Sequence, residues 1–350
     1  MTAASSNNAA LRNVLLATDL SARCDRALDR AVAIAADANA QLTILHVYEE
    51  LGSRRTYGRH PAPSWQAPPD AVAIAKRRIR QGLRADVGDA VERATVLIED
   101  GEPSEVIERV AASERADLIV TGVASERPFA SRPVILGRTV EKLLRRVQIP
   151  TLIVRNRPRA SYEHILVATD LSEPSARALQ VALRFFPNQA LHLLHAFEIP
   201  YAGLIDDPHR QAPTFQVVHA EELAAFIDKM VLPEEARRRL VKLVEPGRPA
   251  QLVHEYVRDH SADLVVLGTH GRGAMLEAVL GSTAKNILLS LHCDALLVPG
   301  QLSVRQRPVL TDRSEGPDSV PSSGAASHPG SVERRLDQQA RADGRAREQE

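Results

Sequence analysis

Cysteine is scarce in this chain, and neither sign of charge dominates. The 350 residues include two cysteines, Cys24 and Cys293, which lie far apart and form no CxxC pair. This argues against a disulfide framework or a cysteine zinc site. Lys plus Arg and Asp plus Glu both total 44, so no net field draws the chain to nucleic acid or to an anionic membrane. We therefore predict neither partner.

Long apolar segments are also missing. No apolar run approaches the roughly 18 residues of a membrane span, and the start, MTAASSNNAA, has no basic segment followed by an apolar one, as a signal peptide would. We expect a soluble, cytoplasmic protein. The composition, 44% hydrophobic and 25% charged, is that of a folded chain, and its length favours two domains.

The sequence contains an internal repeat. NVLLATDLS at residues 13–21 recurs as HILVATDLS at 164–172, and LTILHVYE at 42–49 recurs as LHLLHAFE at 191–198. GEPSEVIERVAASERADLIVTG at 101–122 aligns without a gap to GRPAQLVHEYVRDHSADLVVLG at 247–268. These matches occur in one order, which indicates a duplication. We place a first domain at 11–156 and a second at 161–300.

Within each copy, short Val, Ile and Leu runs alternate with helical patterns. In the first copy the runs at 14–17, 43–47, 95–98, 118–121 and 151–154 predict buried strands. Alternating strands and helices predict a parallel sheet covered on both faces. Each copy is therefore expected to be a doubly wound, Rossmann-like α/β domain with five strands.

Individual residues indicate where the helices begin. Apolar residues recur at helical spacing at 106–111 and 252–257, which predicts an amphipathic helix in each copy. Pro103 and Pro249 suit its first turn, and Ser21 and Ser172 are placed to cap the first helix of each copy.

The connecting segments differ in character. Residues 155–162 form a short linker, while 49–69 and 199–213 predict long loops that could be lids, partner surfaces or tolerated insertions. Residues 301–350 are rich in Ser, Gly, Pro, Arg and Glu and contain no aromatic residue. We predict a disordered tail there.

Candidate ligand residues lie at strand ends, because open parallel sheets bind ligands at the carboxyl edge where strand order reverses. The first strand of each copy ends in Ala-Thr-Asp, at Asp19 and Asp170. Such a carboxylate could accept hydrogen bonds from ribose hydroxyls, or it could simply cap the following helix.

A glycine-rich segment follows the fourth strand of the second copy. It reads GTHGRGAMLEAVLGST from Gly268 to Thr283. Gly268, Gly271 and Gly273 permit positive φ and close backbone approach, and Gly281 opens a helix whose free N–H groups suit a phosphate. The segment has no Gly-Lys-Ser/Thr and follows the fourth strand, so it is neither a Walker A loop nor a dinucleotide fingerprint.

The spacing Gly268-x2-Gly271-x9-Gly281-Ser282, together with ATDLS, is similar to the nucleotide motif of ATP-binding universal stress proteins. The resemblance implies strand order 3-2-1-4-5 and an ATP ligand, with or without magnesium. It implies that Asp170 faces ribose and the Ala196 backbone faces adenine. Phosphates would be held by Gly271, Gly281, Ser282 and Thr283, with Gly268 also in the site and with His270 and Arg272 beside the phosphates or simply solvated.

The first copy departs from this pattern. It has Ser125 in place of Gly271, Arg138 in place of Ser282, and two extra residues before Gly137. We therefore expect one ATP, in the second copy. The weaker first-copy candidates are the equivalent positions Asp19, Val47, Gly122, Gly137 and Thr139.

Several histidines and one lysine are further candidates for ligand or metal contact. His46 and His195 are expected to be core or rim residues. His192 and His195 are three apart on a strand and would point to opposite faces, so no metal site is predicted. Lys285 could contact a phosphate or be an ordinary surface lysine.

These features favour a nucleotide-binding stress or regulatory protein. The alternatives are an interaction module of the same fold without ligand and, less favoured, an adenine-nucleotide enzyme. No catalytic constellation is apparent, so we expect no dedicated enzyme. The family resemblance also implies an internal pseudo-dimer through the fifth strands at 151–154 and 295–298, leaving a homodimer open and protein partners unidentified.

Overall fold

The computed structural model describes residues 11–21, 24–48, 77, 79–83, 93–123, 137–199, 208–269 and 280–302. The predicted disordered tail lies outside these residues from 303 onward. So do residues 49–69, the first of the two predicted long loops.

The first half alternates strands and helices. Its strands are β1 (Asn13–Thr18), β2 (Gln41–Tyr48), β3 (Thr95–Asp100), β4 (Leu118–Gly122) and β5 (Thr151–Val154). Its helices are α1 (Asp25–Asp37), α2 (Pro103–Ser113) and α3 (Arg138–Arg146). Residues 77 and 79–83 are also helical.

The second half repeats this alternation. Its strands are β6 (Ile165–Thr169), β7 (Leu191–Phe197), β8 (Leu240–Pro246), β9 (Leu264–Gly268) and β10 (Asp294–Val298). Its helices are α4 (Glu173–Phe185), α5 (Pro208–Asp228), α6 (Glu234–Arg238), α7 (Pro249–His260) and α8 (Ser282–Ser290).

All ten strands form one sheet in the order β3-β2-β1-β4-β5-β10-β9-β6-β7-β8. Within each half the pairings are parallel, and each half has the order 3-2-1-4-5. The predicted α/β, Rossmann-like fold is confirmed. Leu15 and Leu16 lie on opposite faces of β1, and both are fully buried. This is expected of strands with unbroken apolar runs, because such strands are covered on both faces of the sheet.

The two halves join through their fifth strands. β5 pairs antiparallel with β10, with Ala295 opposite Ile153 and Leu297 opposite Thr151. The edge-to-edge pairing expected from the resemblance is therefore present. Because the apolar edges cover each other, neither β5 nor β10 is left as an open edge.

The hydrophobic core continues across this junction. On the face covered by α1 and α4, one cluster contains Leu16 and Leu28 of the first half with Leu179 and Val266 of the second. The opposite face has two clusters, one within the first half and one that joins Val140 and Ile153 of the first half to the second half. Shared burial on both faces thus links the copies beyond the strand pairing.

The linker 155–162 packs against Asp294 at the start of β10. Asp294 is 1% exposed, and its carboxylate accepts hydrogen bonds from the backbone N–H groups of Arg155 at 2.7 Å and Asn156 at 3.0 Å and from the Tyr162 hydroxyl at 2.6 Å. Arg30 Nε lies 3.5 Å from the same carboxylate, and its guanidinium covers the Tyr162 ring. We call Arg30, Arg155, Asn156, Tyr162 and Asp294 the seam cluster.

Two local expectations need correction. Ser172 caps α4 by accepting from Ser175 N–H, but Ser21 does not cap α1, which begins at Asp25 after Cys24 without a side-chain cap. In the second copy Pro174 lies in the first helical turn and its fixed φ favours an early start; the first copy has Arg23 there.

The second predicted long loop, 199–213, is partly helical, because α5 already begins at Pro208 and includes Pro213. Residues 200–207 lie outside the described part. Among the described helices, none combines the length and hydropathy that crossing a bilayer would require.

Candidate functional site

A cavity of about 540 Å³ opens at the carboxyl edge of the second half's sheet. It lies where the carboxyl ends of β6, β7 and β9 meet the beginnings of α7 and α8. The lining residues come from these elements, the turns beside them and the first turn of α4: Ala168, Thr169, Asp170, Ser175, Leu194, His195, Ala196, Pro249, Val253, Leu267, Gly268, Thr269, Gly281, Ser282, Thr283, Ala284 and Ile287. Six predicted site residues, Asp170, Ala196, Gly268, Gly281, Ser282 and Thr283, are thus brought together.

The turn after β6 is fixed by its own side chains. Thr169 Oγ1 accepts from Leu171 N–H at 3.0 Å, and Asp170 Oδ1 accepts from Ser172 N–H at 3.1 Å. Leu171 adopts a left-handed φ of 63°, which is uncommon for leucine. The Asp170 carboxylate therefore organises the turn at the cavity wall, and Ser172 rather than Asp170 caps α4.

The start of α8 forms another wall. Gly281 precedes the helix with φ −56° and ψ 146°, and no side chain caps the first turn. Gly281 N–H donates to the Thr269 carbonyl at 2.8 Å, which holds the helix end against β9. The next N–H groups of such a helix have no carbonyl partner within the helix, so they favour an anion.

The glycine argument needs correction. The described glycines with positive φ are Gly101 and Gly247, not Gly268 or Gly281. A Cβ atom at Gly281 would lie 3.5 Å from the Thr269 carbonyl oxygen, an ordinary contact, so neither backbone strain nor overlap within the protein requires glycine at this position.

The predicted residues His270, Gly271 and Arg272 lie outside the described residues, as does Gly273. Lys285 is described, and its ammonium is 3.9 Å from Glu141 Oε1 on α3. Lys285 therefore pairs with the other copy, as a surface lysine would.

The histidines on β7 point to different helices. His195 is 6% exposed and its Nδ1 is 3.1 Å from the Thr169 carbonyl oxygen, at the cavity wall. His192 instead contacts the Tyr256 hydroxyl on α7, and burial lowers the pKa of its imidazole. The expected opposite orientation of His192 and His195 is confirmed, and so is the core or rim position expected of His195.

The first copy repeats much of this backbone. Asp19 Oδ1 accepts from Ser21 N–H at 2.9 Å and Leu20 has φ 58°, while Gly137 begins α3 with φ −61° and ψ 147°. Val47 and Gly122 lie at the ends of β2 and β4, and Thr139 lies in the first turn of α3.

The chemistry around that backbone differs. Arg138 occupies the first position of α3, where the second copy has Ser282. Asp19 is exposed whereas Asp170 is half-buried. Ser125 lies outside the described residues.

Thr169, Ser175 and Thr269 also line the cavity, although none of them is among the predicted site residues. The hydroxyl groups of Thr169 and Ser175 form a hydrogen bond, with their oxygens 2.8 Å apart. A signal for Thr169 was present, because the repeated ATDLS segment places a threonine before each aspartate.

Comparison with known proteins agrees with this architecture. The model of the "Universal stress protein family" matches residues 10–155 and again 161–299. A universal stress protein of Mycolicibacterium smegmatis is 26% identical over 303 residues, which cover 81% of this chain and 96% of that protein.

Solved structures match as well. A universal stress protein from Archaeoglobus fulgidus has a TM-score of 0.57 at 18% identity and covers 82% of this chain and 98% of its own. A universal stress protein solved in complex with cAMP is 26% identical, with a TM-score of 0.29, and covers 41% of this chain and 97% of its own. With two family matches in succession and the fold repeated in one sheet, this chain belongs to the universal stress protein family as a tandem, two-domain member.

Proposed function

We propose that the second copy binds ATP or a closely related adenine nucleotide. The observation that carries this proposal is the cavity of about 540 Å³, a volume within the range of about 300–1,000 Å³ usual for small-molecule sites. It lies beside β6 and β9, between which the strand order reverses. Open α/β sheets bind ligands at this kind of switch point.

The polar groups around the cavity suit the three parts of a nucleotide. The Asp170 carboxylate would accept hydrogen bonds from ribose hydroxyls, and the backbone of Ala196 would face the adenine edge. Ser282 and Thr283 add hydroxyl donors to the open N-terminus of α8, where an anion is favoured by the helix dipole and by N–H groups. Magnesium would accompany the phosphates and needs no all-protein ligand set.

The proposed role is binding rather than dedicated catalysis. Occupation of the cavity would bias contacts with protein partners in a stress response or regulatory process. Support comes from the sequence, which lacks the signature loops of nucleotide-dependent ligases and pyrophosphatases.

Calorimetric titration of the full chain with ATP and magnesium tests the proposal. We expect one ATP per chain. Asp170→Ala should weaken binding about tenfold to a hundredfold, because a hydrogen bond to a charged group contributes about 1.5–3 kcal/mol. The matched control is Asp19→Ala, which makes the same change in the first copy and should leave the affinity nearly unchanged.

Three results would contradict the proposal. Two equivalent sites would show that the first copy binds nucleotide as well, and loss of binding with Asp19→Ala but not with Asp170→Ala would show that the first copy alone binds it. A folded chain that binds no adenine nucleotide would instead favour the interaction module without ligand.

A further inference from the structure

Two histidines and one glutamate of the second copy converge beside β7. His195 lies on the strand, and His219 and Glu222 lie on α5, three residues apart on one helical face. One ligand atom from each side chain lies within 4.8 Å of those from the other two. Among the described residues, this is the one group of three His, Cys, Asp or Glu side chains that comes so close.

The His195 ring is already oriented as a metal ligand. Its Nδ1 is 3.1 Å from the Thr169 carbonyl oxygen, and a carbonyl can only accept, so Nδ1 carries the proton. A neutral ring then has its lone pair on Nε2. Metal-bound histidines commonly donate their second N–H to a backbone carbonyl in this way.

This bond alone does not indicate a metal. In the first copy His46 Nδ1 makes the same contact with the Thr18 carbonyl oxygen at 3.0 Å, so the bond belongs to the repeat. The distinguishing feature of the second copy is the pair of groups that α5 adds.

Packing holds that pair in place. The His219 ring stacks on Phe197, with ring centroids 4.4 Å apart and an interplanar angle of 25°, and it lies 5.4 Å from the His195 ring. His219 Nδ1 is 2.9 Å from Glu222 Oε2. Both imidazoles are therefore restrained before any ligand binds, which reduces the ordering entropy of binding.

We propose that His195, His219 and Glu222 bind one divalent transition-metal ion, of which zinc suits the set best. Two imidazoles and a carboxylate are a donor set that zinc uses, with bonds of about 2.0–2.2 Å. Tetrahedral ligands at that distance lie about 3.3–3.6 Å apart, so ligand atoms that now lie within 4.8 Å of one another need to shift by up to about 1.5 Å. Three protein ligands leave a fourth position for water or an exogenous ligand.

This site is separate from the proposed nucleotide function. His219 and Glu222 are not among the residues that line the cavity; His195 alone touches both. Metal binding can therefore be tested without nucleotide, and either proposal can fail while the other stands.

The test uses the full chain without a histidine tag, stripped of metal with a chelator. Cobalt is added first, because tetrahedral cobalt absorbs visible light, and zinc is then titrated to displace it. We expect one ion per chain. His219→Ala and Glu222→Gln each remove one ligand from a half-buried or exposed position and should weaken binding at least about tenfold.

A matched control comes from a second histidine pair. The rings of His254 and His292 are also 5.4 Å apart, but this pair is not part of a group of three. His254→Ala should leave zinc affinity unchanged. Zinc should also raise the melting temperature of the wild type and not of Glu222→Gln.

Three outcomes would overturn the proposal. The first is that zinc affinity is unchanged in both His219→Ala and Glu222→Gln while these variants remain folded. The second is that His254→Ala weakens zinc binding as much as they do. The third is that the wild type does not bind zinc at micromolar concentration. Circular dichroism of each variant shows whether a loss comes from unfolding.

Discussion

The two copies share the backbone at their strand ends and differ in what surrounds it. Leu20 and Leu171 have φ angles of 58° and 63°, and the helices that start at Gly137 and Gly281 begin with nearly the same angles. Yet Arg138 stands where the second copy has Ser282. The repeated sequence thus preserves the backbone frame, while single side chains distinguish the proposed nucleotide site from its counterpart in the first copy.

The junction between the copies is less symmetrical than the sheet. β5 and β10 occupy equivalent positions, but Asp294 begins β10 where the first copy has Pro150, and Arg30 of α1 corresponds to Val181 of α4. A single set of charges therefore holds the linker, with Asp294 from one copy and Arg30 from the other. Apolar strand pairing brings the halves together, and the seam cluster fixes the linker on them.

Removing Asp294 should give the largest effect. Asp294→Ala leaves the buried Tyr162 hydroxyl without its acceptor and the buried Arg30 guanidinium without its carboxylate, so we expect the free energy of unfolding to fall by about 3–5 kcal/mol. Denaturant unfolding followed by circular dichroism measures this. The control is Asp117→Ala, because Asp117 accepts the N–H groups of Arg12 and Asn13 outside the seam cluster.

In the Asp117→Ala control the free energy of unfolding should fall less, by about 1–3 kcal/mol. If Asp294→Ala lowered the free energy of unfolding no more than Asp117→Ala does, the seam cluster would have no special role in joining the copies.

A smaller effect is expected at the paired glycines before α2 and α7. Gly101 and Gly247 have φ of 135° and 147°, which other residues rarely adopt, so alanine at either should destabilise by about 1–3 kcal/mol. A Cβ at Gly101 would lie 3.0 Å from buried Val106, against 3.3 Å from half-buried Leu252 at Gly247. Gly101→Ala should therefore be the more damaging in thermal unfolding, and the reverse order would show that backbone strain alone decides.

Sequence reasoning predicted the fold well because its signals are local or repeated. Apolar runs marked the strands, and Pro103 and Pro249 lie in the first turns of α2 and α7 as expected. The family resemblance supplied the strand order and the pairing of the fifth strands. For the candidate site, the ends of β6 and β9 and the start of α8 pointed to the residues that meet at the cavity.

The contacts that sequence reasoning missed join residues distant in the chain. Asp294 lies 132 positions from Tyr162, and no periodicity connects them. His219 lies on a helix whose beginning was predicted as loop, so its approach to His195 could not be expected. The start of α1 was missed because its prediction rested on the repeated serine alone, whereas the first copy has Arg23 where the second has Pro174, whose fixed φ favours an early start.

The smallest effect is expected at the start of α2, where the copies differ in one side chain. Glu102 caps α2 by accepting from Glu105 N–H at 3.0 Å, whereas Arg248 precedes α7 without a side-chain cap.

A hydrogen bond from Ser104, followed by contacts with Lys142 and Glu105 N–H, lowers the pKa of Glu102 to about 2. Because the unfolded chain has the ordinary value of 4.5, this stabilisation is present above pH 4.5 and is lost as the pH falls towards 2. Glu102 is partly exposed, so the effect should stay below about 1 kcal/mol. Urea unfolding at several pH values between 2 and 5 should show that Glu102→Gln removes this part of the pH dependence and that Arg248→Gln does not. An unchanged acid profile in Glu102→Gln would mean that solvent already screens the cap.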